Sequence, residues 1–144
     1  MVTTNAQSEL YQLAYTSTAV NRLPKEELDI LLHKARKANT DCFITGVLLY
    51  KNDKFLQVLE GDKDTVKHLF EKIKKDARHV DVELILVNPI SSRVFPDWVL
   101  GIAVEDEDFT KIPPYFSLVS IVPFCVRSMH ASADLIKTLS KFLD

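Results

Sequence analysis

Two side chains carry the chemistry this sequence offers: Tyr15 and Gln57, a phenol and an amide set in apolar runs that read as strands. Side chains alternate along a strand, so Phe55, Gln57 and Leu59 share one face of the third strand, and Tyr11, Leu13 and Tyr15 share one face of the first. An amide in that setting needs hydrogen-bond partners or costs about 1–3 kcal/mol. A tyrosine hydroxyl can donate to the glutamine carbonyl while the glutamine NH2 donates onward. Pattern alone leaves two readings open. In one, Gln57 lies at a sheet edge with its amide in water and Tyr15 is a packed core residue. In the other, a polar, ring-shaped ligand lies against this face and the pair contacts it. Asn39 brings a further amide at the end of a helical stripe, either as a C-cap or as a ligand donor. Arg78 and His79, just after the second helix, can reach the same edge.

Other chemistries lack their parts. His33, His68, His79 and His130 have no compact metal-ligand spacing. Glu60 and Asp62 flank Gly61 at a strand-to-helix junction, where capping accounts for Asp62. No serine lies in a GxSxG elbow, and Gly46, Gly61 and Gly101 are too isolated for a phosphate loop. The run Glu105–Asp108 lacks the ordered spacing of a calcium loop. The sequence is therefore not expected to be an enzyme.

The elements that must position these groups follow from periodicity. The chain has 144 residues, 47% hydrophobic, which suits a single core. A strand over Leu10–Ser17 precedes a helix whose stripe is Leu28, Leu31, Leu32, Ala35 and Ala38. Two strands follow, joined by the turn Lys51-Asn52-Asp53-Lys54. Asp62 caps a second helix with the stripe Val66, Leu69, Phe70 and Ile73. Val82–Val87 and Trp98–Val104 read as further strands, and Leu135, Leu139, Phe142 and Leu143 mark a terminal helix. That order predicts an α/β (α+β) ferredoxin-like sandwich: a mixed, mainly antiparallel five-stranded sheet, two flanking helices and a C-terminal helical extension. Residues 1–104 form the expected domain. Residues 105–144 are the extension, packing on the open sheet face or at an oligomer interface.

Charge and cysteine content narrow the partners. With 18 basic and 20 acidic side chains, the formal net charge of −2 does not favour direct nucleic-acid binding. Cys42 reads as a reduced, partly buried filler. Met1–Glu9 lacks the pattern of a signal peptide, and no apolar run approaches the roughly 20 residues that span a bilayer. A cytoplasmic protein without membrane contact is expected.

Taken in order, Tyr15-Thr16-Ser17, Asn39, Ile44-Thr45-Gly46, Phe55–Gly61, Asp76-Ala77-Arg78-His79 and Phe95-Pro96-Asp97-Trp98 resemble the BLUF domains, blue-light sensors that use flavin. The resemblance runs from Leu10 to about Ala103. It implies a non-covalently bound flavin, FAD in the first instance, with FMN or riboflavin also accepted. Tyr15 looks like the family's photochemical tyrosine, and Gln57 like the glutamine between it and the flavin. By the same resemblance, Asn39, Arg78 and His79 are polar contacts to the ring, and Ile30, Leu31, Phe55 and the second helix are the places for apolar ones. Trp98 matches a tryptophan tied to signal transmission. Leu100 stands where the family commonly has methionine, which puts the details of that transmission in question. The implied function is a photoreceptor in which light drives proton-coupled electron transfer from Tyr15 through Gln57 and rearranges the hydrogen bonds of Gln57. No attached catalytic domain is expected, and the signal is expected to pass through a homo-oligomer and a separate protein partner. The alternative is a non-photoactive ferredoxin-like domain for ligand binding or protein interaction, in which Tyr15 and Gln57 only pack.

Overall fold

Asn52 and Asp53 set the register on which the site depends. They take φ values of 52° and 63°, the left-handed pair that a two-residue hairpin requires and that Asn and Asp tolerate best after Gly. The computed structural model describes residues 9–21, 25–95, 98–99 and 131–143. Within them the order is β1 (Leu10–Ala19), α1 (Lys25–Asp41), β2 (Thr45–Lys51), β3 (Lys54–Asp62), α2 (Lys63–Lys74), β4 (His79–Pro89), β5 (Trp98–Val99) and α3 (Ala133–Leu143). The strands lie in the order β4-β1-β3-β2-β5. The first four form an antiparallel sheet, and β5 runs parallel to β2 beside Gly46 and Val47. This β-α-β-β-α-β core is the ferredoxin-like arrangement. The expected strand over Trp98–Val104 is described only at Trp98 and Val99, and Leu100 lies outside the described residues.

The sheet divides the core into two layers. Leu13, Tyr15, Leu48, Phe55 and Leu59 pack with Val66 and Phe70 of α2 and with the partly buried Leu31 and Ala35 of α1. On the other face, Ala14, Val47, Leu49, Leu56 and Val58 pack with Val94 and Phe95 and with Leu135 and Leu139 of α3. Leu135 and Leu139 are fully buried, so the stripe read from the C-terminal sequence covers the sheet face that α1 and α2 leave open. Asp62 caps α2 as its position suggests, accepting from Thr65 N at 3.1 Å.

A buried carboxylate anchors the segment after β4. Glu60, fully buried, accepts from Gln12 Nε2 at 2.6 Å, Phe95 N at 2.8 Å and Val94 N at 3.1 Å. Burial pushes its pKa up, and these donors oppose that shift. Arg93 donates to the Glu60 carbonyl and Thr45 Oγ1, each at 2.7 Å, and to the Phe43 carbonyl at 2.9 Å. Residues 93–95 are thereby fixed against the sheet.

Gly46 is required by a close approach. A Cβ built there lies 1.8 Å from the Val58 carbonyl oxygen, so any side chain forces β2 and β3 apart. Gly46→Ala is expected to lower stability by about 1–3 kcal/mol, read from the midpoint of urea unfolding. A midpoint equal to the wild type's contradicts the close approach.

Candidate functional site

The antiparallel pairing of β1 and β3 sets Tyr15 directly opposite Gln57. The Tyr15 hydroxyl donates to Gln57 Oε1 at 2.5 Å, a short contact between two buried side chains. Burial pushes the Tyr15 pKa well above the usual phenol range, and the Asp76 carboxylate adds to the shift. The phenol is therefore neutral at any working pH. Its ring packs on Phe70, with centroids 5.5 Å apart, and stands edge-on to His79 at 6.3 Å. Gln57 is not a water-facing edge residue: β3 lies inside the sheet, and the side chain is 4% exposed.

Asn39 departs from the C-cap reading. α1 continues to Asp41 and ends with Phe43 at φ 57°. Ile44 N donates to the Asn39 carbonyl at 2.8 Å, and Phe43 N to the Thr40 carbonyl at 3.1 Å, the pair of bonds that closes a helix with a left-handed residue. Asn39 thus lies in the last turn with its side chain turned inward and buried. Its Nδ2 has no hydrogen-bond partner among the described residues. The same turn leaves Cys42 exposed, not partly buried as its apolar neighbours suggest.

His79 and Arg78 are held differently. His79 Nε2 lies 2.6 Å from the Ile73 carbonyl, to which it donates, which leaves Nδ1 to accept from Ser17 Oγ at 2.8 Å in the neutral ring. Arg78 is exposed and forks onto Asp76, donating from Nε to Oδ1 at 2.9 Å and from Nη2 to Oδ2. That pairing holds the Asp76 pKa down at about 2, so the carboxylate beside Tyr15 persists through the neutral range.

These groups line one cleft of about 250 Å³ between the sheet, α1 and α2. Tyr15, Gln57, Asn39, Arg78 and His79 border it, together with Leu31 and Phe55. Ile30 does not: it is 55% exposed and lines an adjoining groove that shares Leu31 and Arg78 with the cleft. Of Trp98 only the backbone is described, in β5 beside Gly46, and its side chain, like all of Leu100, lies outside the described residues.

The second helix contributes Leu69 and Ile73 to the cleft as the resemblance implies, whereas sequence reasoning passed over Leu48, Lys34, Ala35 and Asp76 as cleft residues, and Ser17 as the partner of His79. Leu48 sits in a run, Val47-Leu48-Leu49-Tyr50, that is buried on both faces and so carries no alternation to say which residue faces which layer. Asp76 had a usable signal in its spacing of two from Arg78, a typical Asx-turn position, and it accepts from Arg78 N at 2.9 Å.

The cleft has apolar walls, a buried amide donor lacking a partner, and a phenol–amide pair on its floor. Such a lining suits a flat heteroaromatic ring with a polar edge, and the residues present fit a flavin. Among the described residues no three His, Cys, Asp or Glu side chains could hold a metal ion, and no helix is long and apolar enough to cross a membrane.

Comparison with known proteins follows the same line. Residues 10–101 match the profile of BLUF, described as sensors of blue light using FAD. The photoactivated adenylate cyclase subunit beta of Euglena longa is 36% identical over 120 residues, covering 83% of this chain and 14% of that protein. The chain thus spans about a seventh of that relative's length. Among solved structures, Klebsiella pneumoniae BlrP1 with FMN and cyclic diGMP superposes with a TM-score of 0.68 at 26% identity, over 93% of this chain and 34% of that one. BlrB, a BLUF protein in its dark state, gives 0.62 at 28% identity over 94% and 98% of the two chains.

Proposed function

The chain belongs to the BLUF family of blue-light sensors, and from that premise we propose how its own residues perform flavin photoreception. The domain is a flavin-binding, non-catalytic sensory module. The observation that carries the residue roles is the short Tyr15–Gln57 hydrogen bond on the floor of a cleft that also holds the unpartnered Asn39 amide.

Asn39 Nδ2 and the Gln57 NH2 are the donors to the polar edge of the ring, Leu31 and Phe55 are apolar contacts, and His79 lines the wall beside Tyr15. Arg78 holds Asp76 and closes the cleft at its outer rim; Ile30 extends the apolar surface past the rim. When bound, the flavin supplies blue-light absorption and, in its excited state, an electron acceptor. Tyr15 is the electron donor. Burial makes its phenol hard to ionise directly, so its proton leaves only when the ring is oxidised, and Gln57 Oε1 is in place to take it. While Oε1 carried the proton the amide could rotate, or could return a proton from its nitrogen in place of the one on Oε1, so that once the electron came back to Tyr15, Gln57 would stand with donor and acceptor exchanged, rotated or as a tautomer. The exchanged state would last as long as Gln57 takes to revert.

Output follows from position. Residues 1–104 are the sensing domain, and residues 105–144, which include α3, are the extension that carries the signal, with Trp98 and Leu100 on the route. In this reading the protein acts in the cytoplasm as a homo-oligomer that signals to a separate protein. The packing of α3 behind β1 and β3 supports that route.

Two results test the proposal. Flavin released by heating the purified chain is identified by chromatography, with FAD expected; a chain that takes up no flavin on reconstitution refutes the reading. Asn39→Ala is expected to weaken flavin binding by about 1–3 kcal/mol, roughly 5- to 150-fold in Kd. It should leave the flavin-free protein as stable as before, since Nδ2 has no partner to lose among the described residues. Lower stability with unchanged affinity would make Asn39 a structural residue.

A further inference from the structure

A second cleft, of about 730 Å³, opens on the other side of the sheet, between α3 and the β2–β3 hairpin. Its rims are basic: Lys51 and Lys54 come from the hairpin, and Lys137 and Lys141 from successive turns of α3. Among the described lining residues Glu83 is the one carboxylate. Among the described residues, Lys54, Lys137 and Lys141 make no ion pair. The floor is apolar, with the exposed Ile85 and the partly buried Phe142 lying over the fully buried Leu56. We propose that this cleft docks an acidic segment of a partner protein, its carboxylates on Lys54, Lys137 and Lys141 and its apolar side chains on Ile85 and Phe142.

The lining favours carboxylates spread along a peptide over a compact phosphate. Lysines act as separated point charges, and among the described residues the cleft has neither an arginine fork nor a glycine-rich run of backbone N–H groups to wrap one anion. Nucleic acid fits less well, because the chain's net charge of −2 gives no long-range attraction and Glu83 faces the groove. An apolar floor between charged rims is the usual layout of a protein contact.

Placement gives the cleft its use. Thr16 and Leu56, which line it, are register partners one residue beyond Tyr15 and Gln57 on the same two strands. Because alternate side chains point to opposite faces, the cleft lies back to back with the phenol–amide pair, one sheet thickness away. A rearrangement that shifts β3 at Gln57 shifts Leu56 with it. Partner affinity therefore changes with illumination; that coupling rests on the photoreceptor reading, whereas the docking itself does not.

The test uses the flavin-loaded full chain and a rhodamine-labelled dodecapeptide of Glu-Glu-Leu repeats, read by anisotropy under green excitation that leaves the flavin unexcited. Saturable binding that weakens with added salt is expected, together with no binding of the Gln-Gln-Leu counterpart. Lys137→Glu/Lys141→Glu, both at exposed positions, should weaken binding about tenfold or more and leave the light-induced spectral shift intact. Undiminished binding in that variant, or tighter binding of a single-stranded DNA oligonucleotide than of the peptide, overturns the proposal. So does equal peptide affinity in dark and light when the spectral shift is normal. Peptide binding that depends on the lysines in a protein without any shift supports the cleft and instead refutes the photoreceptor reading.

Discussion

Tyr15→Phe is expected to give a yellow protein that no longer responds to blue light. Phenylalanine keeps the ring that packs on Phe70 and removes only the hydroxyl that donates to Gln57. Flavin affinity should stay within a few-fold, since the cleft keeps its shape and the Asn39 amide. Loss of one buried hydrogen bond lowers stability by about 1–2 kcal/mol, which leaves a folded protein for spectroscopy. The photochemical effect is far larger: without a phenol there is no proton to pass to Gln57 Oε1, and the red-shifted state should disappear. Difference absorption after a blue pulse reads this directly. A Phe variant that keeps even half of the wild-type shift would remove Tyr15 from the proposed relay.

Gln57→Leu carries the second large effect, for a different reason. Leucine fills similar volume among Phe55, Leu48 and Leu59 but can neither accept from Tyr15 nor donate to a ligand. The light-induced shift should again vanish. Unlike the Phe variant, this one should also have an altered dark spectrum, because the ring loses a hydrogen-bond donor. It strands the Tyr15 hydroxyl as well, a buried donor without its acceptor, which costs about 1–3 kcal/mol. Urea unfolding together with dark-state absorption separates the two variants. A dark spectrum identical to the wild type's, with a normal shift, contradicts the role given to Gln57.

How far the sequence discloses this site depends on which contacts are local to a periodic element. Tyr15 and Gln57 are 42 positions apart, yet their pairing is legible because strand alternation gives each a face and the ferredoxin-like order makes β1 and β3 neighbours. The cap at Asp62 and the turn at Asn52-Asp53 are legible for a simpler reason: both are properties of a few adjacent residues. Asn39 is harder. The position of the helix end decides whether its amide caps or points inward, and that end is set by Phe43, which adopts a left-handed conformation usually left to glycine or asparagine. Glu60 gives no sign in the sequence of its role, because its partners at Val94 and Phe95 sit in an irregular segment more than 30 residues away. The lysine-rimmed cleft is hidden similarly: Lys51 and Lys54 meet Lys137 and Lys141 only once α3 has folded back over the sheet.

The most direct test of the whole account is the visible absorption spectrum of the flavin-loaded wild-type protein, recorded in the dark, just after a blue pulse, and through recovery. A Tyr15–Gln57 pair that exchanges hydrogen bonds without lasting covalent change predicts that the flavin band moves to longer wavelength and returns fully in the dark. A flavin-loaded protein whose spectrum is the same before and after illumination contradicts it.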